Sequence, residues 1–185
     1  MAREYHIDAA DLIERCLEGD RTAQYELYRK YNRAMYNTAW RIVRDDQEAE
    51  DILQESFINA FQYLHTFQGS STFGAWLKRI VVNKSLNVLQ KNRLSFDNLN
   101  DEEHDIPQEE EAVVYVDEGE VDRVRRAIED LPDGYRVILS LYLLEGYDHI
   151  EISEILGISV GTSKSQYNRA KKKLREMLNV MHYEK

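Results

Sequence analysis

Between positions 95 and 120 this chain carries eleven acidic residues and no lysine or arginine. Such a segment repels itself and has too little apolar surface to offset the entropy of ordering it. Pro107 and Gly119 lie within it, and Val113-Val114-Tyr115-Val116 is its only apolar cluster. The 185 residues are therefore expected to form two small folded units joined by a flexible acidic linker, rather than one core.

The same block accounts for the net charge of −10, because without it 24 basic residues face 23 acidic ones. The remaining charge is unevenly spread. Residues 78–93 hold five basic residues and no acid, and residues 160–175 hold six and no acid. Fields act on phosphates over about one Debye length, so these two patches permit a nucleic-acid partner despite the total. The single cysteine, Cys16, cannot form an internal disulfide and fits a reducing compartment. The longest apolar runs, 137–139 and 141–144, are too short to span a bilayer, and Met1-Ala2-Arg3-Glu4 opens no secretory signal. A cytoplasmic, nucleoid-associated protein without membrane insertion is expected.

The folded parts read as all-α. Leu12, Ile13, Cys16 and Leu17 form one apolar stripe, ended by Gly19. Leu27, Tyr31, Ala34, Met35, Thr38 and Ile42 form a second, and Ala49, Ile52, Leu53, Phe57, Ala60, Phe61 and Leu64 a third. A loop follows at 68–72, where Ser71 or Thr72 can cap a fourth helix running from Phe73 to about Arg93. After the acidic block, Val121, Val124, Ile128 and Leu131 face one way. Pro132 suits a helix first turn, and Tyr135, Ile138 and Leu141 continue the stripe. Ile150, Ile152, Ile155 and Leu156 lead to Gly157 at a helix end, and Ser159 can cap a last helix.

This C-terminal arrangement predicts a helix-turn-helix. Gly157 accepts positive φ at little cost, so the short helix at 148–156 can turn sharply into the basic helix from Val160. The second helix opens with Gly161, Thr162, Ser163, Lys164, Ser165 and Gln166, small or polar residues suited to a major groove. Lys164, Arg169, Lys171, Lys172, Lys173 and Arg175 supply charge for phosphates.

These residues resemble region 4 of the sigma-70 family. The resemblance is carried by Leu131-Pro132 with Arg136-Val137, Glu145-Gly146-Tyr147, Ile152 to Ser159, and Gly161-Thr162-Ser163-Lys164-Ser165 through Arg169-Ala170 to Leu174-Arg175. It implies recognition of the −35 promoter element, with Ser159, Thr162, Lys164, Ser165, Gln166, Arg169, Lys171 and Lys172 at the DNA. The N-terminal half independently resembles sigma region 2, through Gly19-Asp20, Leu27-Tyr28-x-x-Tyr31 and Ala49 to Phe57. That segment implies docking on the clamp helices of the largest polymerase subunit, with Asp51, Gln54, Glu55 and Phe57 as candidates. Phe73-Gly74-Ala75-Trp76-Leu77 and Arg79-Ile80-x-x-Asn83 are similar to the segments that recognise and open the −10 element. Extruded bases and a held single strand need pockets and cationic grooves. Lys78, Arg79 and Lys84 suit the backbone and Asn83 and Asn87 the base edges. Phe73 and Trp76 sit at core spacing, so the loop from Phe67 is the candidate for gripping a flipped base.

The resemblance spans residues 8–94 and 121–178, leaves no room for a region 3 domain, and points to the extracytoplasmic-function (ECF) group. It implies a sigma region 2 domain at 8–94, a linker at 95–120 and a region 4 domain at 121–180. Core RNA polymerase (clamp helices and flap), promoter DNA and an anti-sigma factor are the implied partners, with no cofactor. Two positions depart from the family's pattern: Asn87, where members often carry Asp, and Gln166, where they often carry Arg.

An enzyme is disfavoured. Gly-x-x-x-x-Gly-Lys, Gly-x-Gly-x-x-Gly and Glu-x-x-His are all absent, and one cysteine makes no zinc thiolate cluster. A helix-turn-helix regulator acting without polymerase explains 121–178 but leaves 49–93 unexplained.

Overall fold

The computed structural model describes the backbone of residues 9–92 and 118–183, and the side chains of 9–91 and 121–178. Two separate units form, Met1–Asn92 and Arg93–Lys185, and the described residues of both are helical, with no strand.

The first unit begins with α1 (Ala9–Leu17), which stops where Gly19 takes φ 89° and its N–H bonds the Cys16 carbonyl. Arg15 then grips Asp20 at 2.7 Å, while Asp20 caps α2 (Arg21–Val43) by accepting from the Thr22 and Ala23 amides. One carboxylate thus joins two helices. At the far end Arg44 adopts φ 57°, and its guanidinium lies 3.8 Å from the Trp40 ring centroid. Asp45 caps α3 (Asp46–Gln62) through the Glu48 amide, and a short 3₁₀ turn follows at Leu64–Thr66. Thr72, one of the two expected caps, accepts from Ala75 at the start of α4 (Phe73–Asn92).

Helices α2, α3 and α4 pack mutually, and α1 lies along α2. Leu27, Ile42, Leu53, Phe57, Leu77, Val81 and Leu89 fill the centre. Gly74 lets α4 meet Tyr31, because a Cβ there would sit 3.0 Å from the ring. Ser56 is also fully buried, and its hydroxyl has no partner. An unsatisfied buried hydroxyl opposes folding, so Ser56→Ala is expected to stabilise this unit by about 1 kcal/mol. Urea titration measures it, and an unchanged or lower midpoint would count against the assignment.

The second unit contains α5 (Glu118–Glu129), α6 (Asp133–Leu139), α7 (His149–Leu156) and α8 (Val160–Tyr183). Helix α5 starts inside the stretch expected to be linker, since Glu118, Gly119 and Glu120 form its first turn. The remainder of the acidic block, with the cluster 113–116, lies outside the described residues. Pro132 sits one step earlier than a first-turn residue, as the cap before Asp133. Helix α6 runs into a π turn at Ser140–Leu144, and residues 136–141 are all buried, making this the unit's central strut. Arg136 is buried here, paired to Asp133 at 2.5 Å and donating to the Leu131 carbonyl at 3.2 Å. Helices α6 and α7 pack on α8, and Arg123 of α5 donates to the Leu178 carbonyl at 2.7 Å. Val121 and Ile150, expected in the apolar stripes, are exposed.

Candidate docking face and nucleic-acid interfaces

On α3 the residues Asp51, Gln54 and Glu55 are exposed and lie on one strip, as their spacing of three and four dictates. Phe57 does not belong with them. It is 3% exposed, with its ring edge-on to Tyr28 at 4.9 Å and near Phe61 at 5.9 Å, so its assignment to a docking face is corrected to core. The apolar residue that does stand on the strip is Ile58, 62% exposed and four positions beyond Gln54. Its signal was an Ile outside the third stripe, among polar residues one turn away.

Beside this strip, α3 and α4 enclose an open groove of about 540 Å³, lined by Glu55, Asn59, Ile80, Asn83, Lys84, Asn87, Val88 and Lys91. Three candidates from the sequence, Asn83, Lys84 and Asn87, therefore converge. Lys84 is ion-paired with Glu55 across the groove. Asn59, from α3, is a groove residue that reading α4 alone misses. Lys78 falls elsewhere, because five residues from Asn83 correspond to about 140° around a helix. It lies on the side of α4 that carries Val81, Val82 and Leu89 and does not line the groove with the other −10 candidates. Arg79 is half-buried at the edge of that face.

Phe67 is half-buried. Its ring packs edge-on to Phe73 at 5.9 Å and against Trp76 at 5.4 Å, while 68–72 are exposed. Phe67 thus closes an aromatic cluster from the outside, and the free part of the loop begins after it.

In the second unit Asp148 and Glu151 form a reciprocal capping box on α7. The helix ends at Gly157 with φ 67°, as its position predicted. Ser159 accepts from the Thr162 amide at 2.9 Å and so caps α8, and its hydroxyl also bonds the Thr162 hydroxyl at 2.8 Å. Helix α8 then has two distinct faces. Ser163, Gln166, Tyr167, Ala170 and Leu174 are buried. Gly161, Lys164, Lys172 and Arg175 are exposed, with Ser165, Asn168, Arg169 and Lys171 partly so. Gln166, expected to read base edges, is 3% exposed, and this is corrected: its amide is packed inside and does not face a groove. Asn168 stands on the outer face between Lys164 and Lys172, one helical turn from each.

His149 joins α7 to α8. Its Nδ1 lies 2.9 Å from the Ser163 hydroxyl, and its ring stacks on Tyr142 at 4.8 Å beside Tyr167. Burial pushes the imidazole below its ordinary range; Lys164 pushes the same way, Asp148 opposes, and Lys171 adds to the lowering. The folded chain therefore binds fewer protons than the unfolded chain on the acid side of about pH 6.5. Stability from this contact is complete above that value and is lost as pH falls through the lowered folded value. The second unit's melting temperature is expected to fall on acidification from about pH 7 to 5.5, more in wild type than in His149→Gln. Equal slopes would remove His149 from the account.

Among the described residues, no cluster of three or more His, Cys, Asp or Glu side chains can hold a metal ion, and no helix is long and apolar enough to cross a membrane. What the geometry defines is a two-unit helical protein with an exposed acidic strip on α3, an amide-rich groove and a basic helix-turn-helix. The sigma-70 region 2 family model matches residues 27–94, and the sigma-70 region 4 model matches 122–174. The RNA polymerase sigma-H factor of Pseudomonas aeruginosa is 30% identical over 180 residues, covering 92% of this chain and 93% of the relative. The ECF RNA polymerase sigma factor SigW of Bacillus subtilis is 29% identical, covering 90% and 94%. The solved structure of CnrH in complex with the cytosolic domain of CnrY aligns with a TM-score of 0.57 at 25% identity, over 94% of this chain and 99% of that one. The chain belongs to the sigma-70 family of RNA polymerase sigma factors, in its ECF group. As such it binds core RNA polymerase and directs promoter-specific transcription initiation.

Proposed function

We propose a division of labour among named residues. Asp51, Gln54, Glu55 and Ile58 dock on the clamp helices of the largest subunit. Asn83, Asn87, Lys84 and the edge residue Arg79 engage the −10 element, with the loop 68–72 beside them. The outer face of α8 enters the −35 major groove. There Ser165 and Asn168 meet base edges, and Lys164, Arg169, Lys171 and Lys172 meet phosphates, with Ser159 capping the helix that carries them and Thr162 bonded to the Ser159 hydroxyl. The second unit also meets the polymerase flap, and an anti-sigma factor is the remaining partner. The chain supplies recognition, polymerase performs the chemistry, and both work at the nucleoid in the cytoplasm.

The observation that carries this reading is the segregation of α8, whose buried stripe leaves a continuous basic and amide face outward. An asparagine amide can bond adenine N6 and N7 together, so it suits a sequence-reading position, whereas lysine ammonium groups suit phosphates. The test is reconstitution with core polymerase on promoter fragments carrying single −35 changes. Asn168→Ala is expected to alter preference at one base pair by about 1–3 kcal/mol. Lys172→Ala is expected to weaken all fragments alike and lower the log–log salt slope by about one. Identical profiles for the two variants would overturn the assignment. Tight specific binding by the free chain with none gained from core would favour a regulator independent of polymerase.

A further inference from the structure

Resting on the docking and −10 assignments above, we propose that the Glu55–Lys84 pair is a lock that polymerase docking opens, making the −10 groove more strongly cationic in the holoenzyme. Glu55 belongs to the α3 docking strip and Lys84 to the α4 groove, so one ion pair joins two surfaces assigned to different partners. The pair is asymmetric. The Glu55 side chain is 63% exposed and the Lys84 side chain 23% exposed. A partner arriving from solvent therefore reaches the carboxylate first, while the ammonium stays recessed in the groove.

The charges lining the groove give the consequence. Among the described residues lining it, Glu55, Lys84 and Lys91 are the ionised ones, and together they carry one positive charge. A cationic side chain of the docking partner that takes over Glu55 leaves Lys84 and Lys91 as two uncompensated cations. Asn59, Asn83 and Asn87 stand beside them as uncharged donors and acceptors. The freed Lys84 then needs an anion, and the backbone phosphate of a strand entering the groove supplies it. No backbone rearrangement is required, only an exchange of ion-pair partners. A part-exposed ion pair is a weak restraint, so the lock biases affinity by about two- to fivefold and does not block the groove.

A double-mutant cycle on the full chain without polymerase tests this, reading fluorescence anisotropy of a labelled mixed-sequence single-stranded DNA oligomer at low salt. Glu55→Gln is expected to tighten binding by about two- to fivefold. The same change in a Lys84→Gln background is expected to give no gain, because no lysine remains to be released. Equal tightening in both backgrounds would mean simple removal of a negative charge and would overturn the lock, as would no tightening in either. The underlying reading is judged separately, by promoter binding of holoenzyme carrying Lys84→Gln. Weakened binding supports Lys84 as a −10 contact whatever the cycle shows. Unchanged binding removes the groove from the −10 site, and the lock falls with it.

Discussion

Ile58→Lys is expected to cost this protein its hold on core RNA polymerase while leaving its fold intact. Ile58 is 62% exposed, so a charge placed there meets water and not the core of the bundle. It nevertheless stands amid Asp51, Gln54 and Glu55, a small apolar centre with a polar and acidic rim. Interfaces concentrate their energy in such centres, where one truncated anchor costs about 2 kcal/mol or more. Lysine removes the apolar contact and adds a charge that must be desolvated, so a loss of at least roughly thirtyfold in affinity is expected. Co-purification and a binding titration with core polymerase measure it, alongside a thermal melt. Undiminished retention would move the docking face off α3. Lost retention with a collapsed melt would show that Ile58 supports the fold instead.

Arg136→Met has the second large effect, and it falls on the other unit. The Arg136 guanidinium is buried, bonded to Asp133 and to the Leu131 carbonyl. It fastens the end of the α5–α6 turn to the central strut. Methionine fills similar volume but leaves the Asp133 carboxylate and the carbonyl without this donor. Breaking a buried pair from one side costs about 3 kcal/mol or more. In a unit this small that is a large share of the total stability, and the melting temperature is expected to fall by more than about 10 °C. Core retention through the first unit should survive while −35 recognition is lost. Adding Asp133→Asn should recover part of the loss, since the orphaned charge is then gone. A single variant with an unchanged melt would show that the ion pair contributes nothing.

Much of the helical plan was legible because its signals are local. Gly19, Thr72, Gly157 and Ser159 end or begin helices where their own backbone and hydroxyl chemistry dictates. The acidic block marks where one unit gives way to the next, although α5 reaches three residues into it. Facing was less legible. Gln166 is polar and follows a run of small polar residues, so sequence places it outward. It lies next to Tyr167 and four residues before Ala170, and the packing of α6 and α7 on α8 turns that side inward. The same rotation brings Asn168 out. Phe57 and Ile58 are adjacent apolar residues, and Phe57, the one on the third apolar stripe, is the one that packs against Tyr28 and Phe61.

The sequence by itself therefore determined the all-helical class, the order of the helices, most of their ends and the family. Those follow from periodicity, capping and charge, all properties of neighbouring residues. The tertiary structure alone decided how far each helix is rotated about its axis. Where polar and apolar residues mix, that angle depends on the partner helix, not on the helix itself. It also brought together residues distant in the chain, among them Glu55 with Lys84, which only the packing of α3 on α4 can pair.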